Sequence, residues 1–319
     1  MDDSNSDVKS YRLNFDGNGS EYFGVIIINW LLTILTLGIY YPWAKAKQLR
    51  FIYGSVALND DRFAFLGTGK EMFKGFIKAI LLFGILFLLL FLLSYFKLPA
   101  IGLLIFYAGL IAIMPVAIHG SYRYRMSRTS WRGIRFGYRG NRTELIKKFF
   151  KWVFFTIITF GIYSAWMVIN LRSYVMGKVR FGNIEVKYKA DGGEYFVINL
   201  IGYLLTLLTL GIYFFWWQKN LFAYYIDNLS LHNDGQEIKL KSTATGGGFF
   251  KLMVVNLLII IITLGLGYAW VVTRTLKYFV SCIHLSGNID LDAITQTEDN
   301  FTDATGEDIN DFLNLDFII

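Results

Sequence analysis

The sequence predicts a membrane all-α bundle of about six transmembrane helices, with short extramembrane β-strands or hairpins between them and internal repeats along the chain. Three observations predict it. Of 319 residues, 55% are hydrophobic and only 17% charged, against roughly 25% charged in an ordinary soluble domain. The apolar residues fall into six runs, about 23–43, 79–96, 100–118, 149–170, 196–217 and 249–272. Each comes near the roughly 20 helical residues that cross a hydrocarbon layer about 30 Å thick. Finally, one pattern closes run after run. Thr36-Leu37-Gly38-Ile39-Tyr40 with Trp43 recurs as Thr159-Phe160-Gly161-Ile162-Tyr163 with Trp166, and as Thr209-Leu210-Gly211-Ile212-Tyr213 with Trp216; a weaker copy is Thr263-Leu264-Gly265-Leu266-Gly267 with Trp270.

Taken in order, Tyr11 to Phe15 alternates as a short strand does, and Asp16-Gly17-Asn18-Gly19 is a turn signal. Phe15, Gly17, Gly19, Glu21 and Phe23 reappear fifty residues on as Phe65, Gly67, Gly69, Glu71 and Phe73. Looser copies hold Glu144 and Glu194, and a degenerate fifth runs from Leu240 to Phe250. The unit is strand, glycine turn, acidic residue, apolar run, tryptophan, basic-aromatic stretch and strand. Ala79 to Phe96 contains Ser94 as its one polar residue and shows no polar face at helical period. Only Lys97, Leu98 and Pro99 part it from the next run, so these two form a helical hairpin. Ile184, Val186 and Tyr188 alternate with Glu185, Lys187 and Lys189; Asp234-Gly235 precedes a second alternating piece, and 283–291 reads as a β-hairpin. Residues 1–297 are read as one repeat-built membrane domain, and 298–319 as an acidic, flexible tail.

Orientation follows from Lys and Arg. If all six runs span, the loops 44–78, 119–148 and 218–251 share a side and hold most of the basic residues, which favours both termini outside. That arrangement puts homologous strand units on both faces. In the alternative, the short runs dip in and return at the Thr-x-Gly elements, against the rule that non-helical backbone at membrane depth needs shielding.

The net charge of +7 fits basic loops against anionic lipid headgroups. The arginines flank apolar runs without forming a continuous basic face, so the lipid bilayer, not nucleic acid, is the expected partner. The acidic start of the chain is unlike a secretory signal, so the first run is expected to remain. Cys282 is the lone cysteine, and His119, His232 and His284 are scattered. Gly246-Gly247-Gly248 lacks the lysine of a phosphate loop. No catalytic set, cofactor or metal is expected, and no enzyme. Glu21, Glu71, Glu144 and Glu194 suit helix N-termini. Trp43, Trp166, Trp216 and Trp270 suit interfacial anchors.

The Thr-Leu-Gly-Ile-Tyr…Trp elements, the basic-aromatic stretch after them and the Arg-Phe-x-Phe/Tyr-x-Gly strands resemble the YjgN family of multi-pass bacterial inner-membrane proteins of unknown function. The resemblance runs from Tyr11 to about Ile294; the fourth copy departs from it at Gly267, where the pattern has tyrosine. It implies a multi-pass protein of the bacterial inner membrane and carries over no activity. On the residues, a solute transport or channel-like role is favoured, with Asn29, Asn199 and Asn256 as candidate path-lining groups; the alternative is a non-transporting scaffold or lipid-interacting protein.

Overall fold

In the computed structural model, which describes residues 9–297, ten helices and eleven strands replace the expected six-helix bundle. Strands β1 (Lys9–Tyr11) and β2 (Leu13–Phe15) lead into α1 (Gly19–Leu35) and α2 (Tyr41–Gly54). Next come β3 (Val56–Leu58), β4 (Asp61–Phe65), α3 (Gly69–Tyr95) and α4 (Pro99–Arg128), then β5 (Thr129–Trp131), β6 (Ile134–Tyr138), α5 (Arg142–Ile158) and α6 (Ser164–Met176). The order repeats with β7 (Val179–Phe181), β8 (Ile184–Tyr188), α7 (Gly192–Leu208) and α8 (Phe214–Asp227), and again with β9 (Leu229–Asn233), β10 (Gln236–Ser242), α9 (Gly246–Ile262), α10 (Tyr268–Ser281) and β11 (Ile283–Gly287). Five helical hairpins thus alternate with paired strands.

All eleven strands form one antiparallel sheet in the order β1-β11-β10-β9-β8-β7-β6-β5-β4-β3-β2. Its two ends, β1 and β2, are parted only by Arg12, so the sheet curls back on itself into a near-barrel, which removes free edges. Tight turns make this cheap. Asn59-Asp60, Arg132-Gly133 and Asp234-Gly235 all adopt positive φ at both positions, the backbone that matches the strand twist of a two-residue hairpin. The alternation in β8 is as the sequence implies: Ile184, Val186 and Tyr188 are buried, while Glu185 points outward to Arg180, 3.2 Å away. Tyr11, Trp131, Phe181, Ile184, Ile238 and Leu285 fill the half of the barrel near the strand turns.

The β-hairpin expected over 283–291 is not formed. The flank of β11 is taken by β1, with Tyr11 opposite Leu285. Residues 288–297 instead turn beneath the barrel, where Ile289 and Ile294 are buried. The Tyr11 hydroxyl donates to the Ile289 carbonyl, Thr297 to that of Gly182 at 2.6 Å, and the Arg135 amide to Gln296 at 2.7 Å. The expected tail, 298–319, lies outside the described residues.

Why the bundle expectation fails is clear from α1 and α2. The run 23–43 is not one helix but α1, a turn, and the start of α2 folded back. The same holds for 149–170, 196–217 and 249–272. Among the described residues, only α3 and α4, of 27 and 30 residues, are long and apolar enough to cross a membrane. Each helical hairpin leaves the sheet and returns to it, so the barrel, the basic loops 44–78, 119–148 and 218–251, and both ends of the described chain share one side. The premise that favoured outside termini, loops alternating between faces, is therefore overturned.

The helices also close a ring, each touching the next and α10 touching α1. Four of the five joints between hairpins are tryptophan on glycine. Trp43 lies against Gly69, Trp166 against Gly192, Trp216 against Gly246, and Trp270 against Gly19. A methyl at Gly192 would meet both the ring and the Cα of Trp166, whereas one at Gly24 would meet nothing. Gly192→Ala should destabilise the protein by about 1–3 kcal/mol, the usual cost of overpacking. Gly24→Ala should leave stability unchanged or slightly raised, because alanine favours helix. Thermal unfolding of the two variants in the same detergent checks this.

Candidate functional site: hairpin tips and a barrel-mouth cavity

The functional surface is built first at the hairpin turns. Each short hairpin reverses through a leucine or phenylalanine at φ about +50 followed by a glycine at φ about +90: Leu37-Gly38, Phe160-Gly161, Leu210-Gly211 and Leu264-Gly265. The first of each pair is 92–97% exposed. A turn in hydrocarbon cannot borrow water for its backbone, so it must satisfy itself. Threonine does this. Thr36 donates to the Leu32 carbonyl at 2.7 Å and accepts from the Tyr40 amide at 3.0 Å. Gly38 N–H reaches back to Thr33 O at 2.8 Å. Thr159 and Thr209 do the same with Tyr163 and Tyr213. Thr263 accepts from the Gly267 amide at 2.7 Å, so the departure from tyrosine in the fourth copy leaves the geometry intact.

Length sets how far each tip stands from the cations of its hairpin. At about 1.5 Å per helical residue, the return helices travel about 10–16 Å from the turn glycine to their first cation: Gly38 to Lys45, Gly161 to Arg172, Gly211 to Lys219, Gly265 to Arg274. That is about one leaflet of a hydrocarbon layer roughly 30 Å thick. The hairpin of α3 and α4 differs. Its apolar stretch runs from Ala79 to Phe96, about 27 Å of helix, bounded by Lys78 and by Lys97, which sits at the tip with φ +60. Among the described residues, Lys97 is the one cation at a hairpin tip.

This long hairpin is pinned to the barrel at its base. Thr68 and Glu71 form a reciprocal capping box, and Glu71 receives Arg128 at 3.0 Å and the Tyr124 hydroxyl at 3.3 Å. Glu144 likewise accepts from Tyr174 at 3.1 Å and Lys148 at 2.8 Å. Glu71 and Glu144 thus tie neighbouring helices, and Glu71 also caps its own. Exposed lysines line the outer helices at this level: Lys70, Lys74 and Lys78 on α3, Lys147 and Lys151 on α5. Arg132, by contrast, lies in the β5–β6 turn at the opposite end of the barrel, over the Trp131 ring at 4.4 Å and paired with Asp61 and Asp292.

The candidate path-lining asparagines are placed apart, on α1, α7 and α9. Asn29 is buried and reaches the Ala44 carbonyl at 3.4 Å. Asn199 bonds Tyr195 O at 2.7 Å in its own helix, and Asn256 bonds Thr275 at 2.9 Å. Each is engaged within its own hairpin. Trp43, Trp166, Trp216 and Trp270 occupy the interhelical joints described above. The histidines stay separate: His119 is buried against Tyr138, His232 meets Glu237 at 3.2 Å, and His284 is exposed. Cys282 is buried. Among the described residues, no group of three or more His, Cys, Asp or Glu could hold a metal.

A cavity of about 510 Å³ occupies the barrel mouth, a size typical of small-molecule sites. Its wall combines the helix-side residues of the strands, such as Phe136, Val186 and Leu231, with Ile52, Tyr122, Met126 and Met176 from the ends of α2, α4 and α6. Alternation along the sequence places Val186 on one face of its strand, but does not show that these residues surround a space. Lys97 was visible as a lone charge between two apolar runs, the one signal that marks this tip as different.

Thr209→Val tests the turn device. Removing the hydroxyl orphans the Tyr213 amide at an apolar tip, which should cost about 1–3 kcal/mol. Thermal unfolding in detergent should show the loss, whereas Thr209→Ser, which keeps the hydroxyl, should lie close to wild type.

The sequence of this chain matches the family described as bacterial protein of unknown function (DUF898) over residues 10–191, 183–237 and 217–312. The inner membrane protein YjgN of Salmonella typhimurium is 26% identical over 377 aligned residues, covering 93% of each chain. The YjgN proteins of Escherichia coli O157:H7 and K12 are 35% and 33% identical over 132 residues, which cover 41% of this chain and 32% of theirs. No solved structure matches. The chain thus belongs to this bacterial family of unknown function and, like its YjgN relatives, is a protein of the inner membrane.

Proposed function

We propose that the chain is a non-transporting, lipid-interacting protein of the inner membrane. One hairpin, α3–α4, crosses the bilayer; the other four enter only the leaflet nearest the barrel, and the barrel lies in the cytoplasm. The observation that carries this reading is the contrast at the tips. Four end in bare Leu or Phe, which suits hydrocarbon, and the long one ends in Lys97, which suits the far headgroups. Placing the barrel inside follows from charge: the cations other than Lys97 lie on the barrel side of the tips, and basic segments are retained in the cytoplasm.

A solute path is less well supported, because Asn29, Asn199 and Asn256 are each engaged inside a separate hairpin. A lipid role accords instead with the exposed lysines of α3 and α5, which stand one helical turn apart at the level where anionic headgroups meet the helices. The recurrence of the same order of elements further suits duplication of one hairpin module.

In a Cys282→Ala background, Lys97→Cys should react with a membrane-impermeant maleimide added to intact cells with permeabilised outer membranes. Asn59→Cys, in the β3–β4 turn, should react only after the inner membrane is broken. The reverse pattern would put the barrel in the periplasm, and labelling of both from one side would remove the crossing hairpin.

A further inference from the structure

We propose that the barrel mouth is a binding site for one long hydrocarbon chain. The lining is almost free of polar atoms. Thr129, Tyr53 and Tyr122 are the hydroxyl-bearing residues of the lining, and the Thr129 hydroxyl donates to the Arg125 carbonyl at 2.7 Å. An apolar space of this kind does not hold water; its chemical complement is hydrocarbon. Met126 and Met176 contribute unbranched, polarizable side chains that adapt to chains of different shape.

The site is blind. The barrel half nearer the strand turns is packed with Trp131, Phe181, Ile184 and Ile238, and Ile289 and Ile294 seal the end beneath them. A molecule that enters must return by the same route, so the cavity is a holding site and not a conduit. The volume of about 510 Å³ suits a single long acyl chain; two chains and a headgroup would not fit. Access follows from the walls themselves. Ile52, Met126 and Met176 stand at the barrel ends of α2, α4 and α6, the helices that run out into the lipid. A chain that follows those helices from the bilayer reaches the cavity without passing through water, while its polar end stays at the headgroup level. This route rests on the membrane placement proposed above; the apolar character and the closed end of the cavity do not.

The test uses full-length protein in nanodiscs of phosphatidylethanolamine and phosphatidylglycerol. One arm carries trace phosphatidylglycerol with a diazirine near the end of one acyl chain; the other carries a diazirine-bearing free palmitic acid. After irradiation, labelled residues are mapped by mass spectrometry. Labelling of Met126, Met176 or Leu231, which face the barrel interior, is expected in addition to labelling of outer positions such as Leu104. The arm that labels them identifies the source as phospholipid or free acid. Filling the cavity with Val186→Phe and Leu231→Trp should cut labelling of Met126 and Met176 at least tenfold and leave Leu104 unchanged. Should that pair fail to fold, Val179→Leu with Val186→Leu should give a smaller loss of the same kind. If neither probe labels the interior residues while Leu104 and the tips are labelled, the chain site is overturned and the membrane placement stands. If the tips are not labelled, it is the placement that fails.

Discussion

The structure depends on one constraint: a chain that reverses direction inside hydrocarbon must satisfy its own backbone hydrogen bonds, because no water is there to do so. The Thr-x-Gly turn meets it with a single hydroxyl. In each of the four short hairpins, threonine donates to the last turn of the outgoing helix and accepts from an amide at the start of the returning one. Glycine takes the second left-handed position, where a side chain would be strained. The residue before it, leucine or phenylalanine, accepts a less favourable φ and places an apolar side chain outermost. The turn therefore satisfies its own backbone while presenting an apolar side chain outermost.

From that device the rest follows. Because each short hairpin returns to its own side, every strand can join one sheet, and the sheet can close. Because the sheet closes, the helices are held in a ring in which four of the five joints between hairpins are glycines under tryptophans, the last one linking Trp270 to Gly19 across nearly the whole sequence. Closure of both layers sets the mouth of the barrel where the helices leave the sheet and gives it an apolar wall. The long hairpin fits the same frame with a different ending. Its pair Glu71 and Arg128 locks the base, and its extra turns of helix carry Lys97 well beyond the other tips, far enough to reach the opposite headgroups in the proposed placement.

Much of this was legible in the sequence, and the failure has a specific cause. The strand Ile184–Tyr188, the Asp234-Gly235 turn, the hairpin broken at Lys97–Pro99 and the acidic helix entries all follow from local patterns, which local structure obeys. The run 23–43 misled because apolar length does not tell one crossing helix from a shorter helix and the beginning of its return. The signals that resolve it were present: Thr and Gly at a fixed spacing, and a cation within about one leaflet of the turn. The strand pairing of Tyr11 with Leu285 and the packing of Trp270 on Gly19 could not be read, since both join residues from opposite ends of the chain. The same is true of the cavity, which exists only once β2 through β9 are curved together.

The most direct measurement of the central claim is the depth of the short tips. Spin labels at Leu37, Phe160, Leu210 and Leu264, in protein reconstituted into lipid bilayers, can be compared for collision with oxygen and with a water-soluble nickel chelate. Tips that stop within one leaflet should all collide freely with oxygen and hardly with nickel, with depths near the bilayer centre. Strong nickel accessibility at those four positions would contradict the account, because it would place the turns in water, either on the far side of the membrane or outside it altogether.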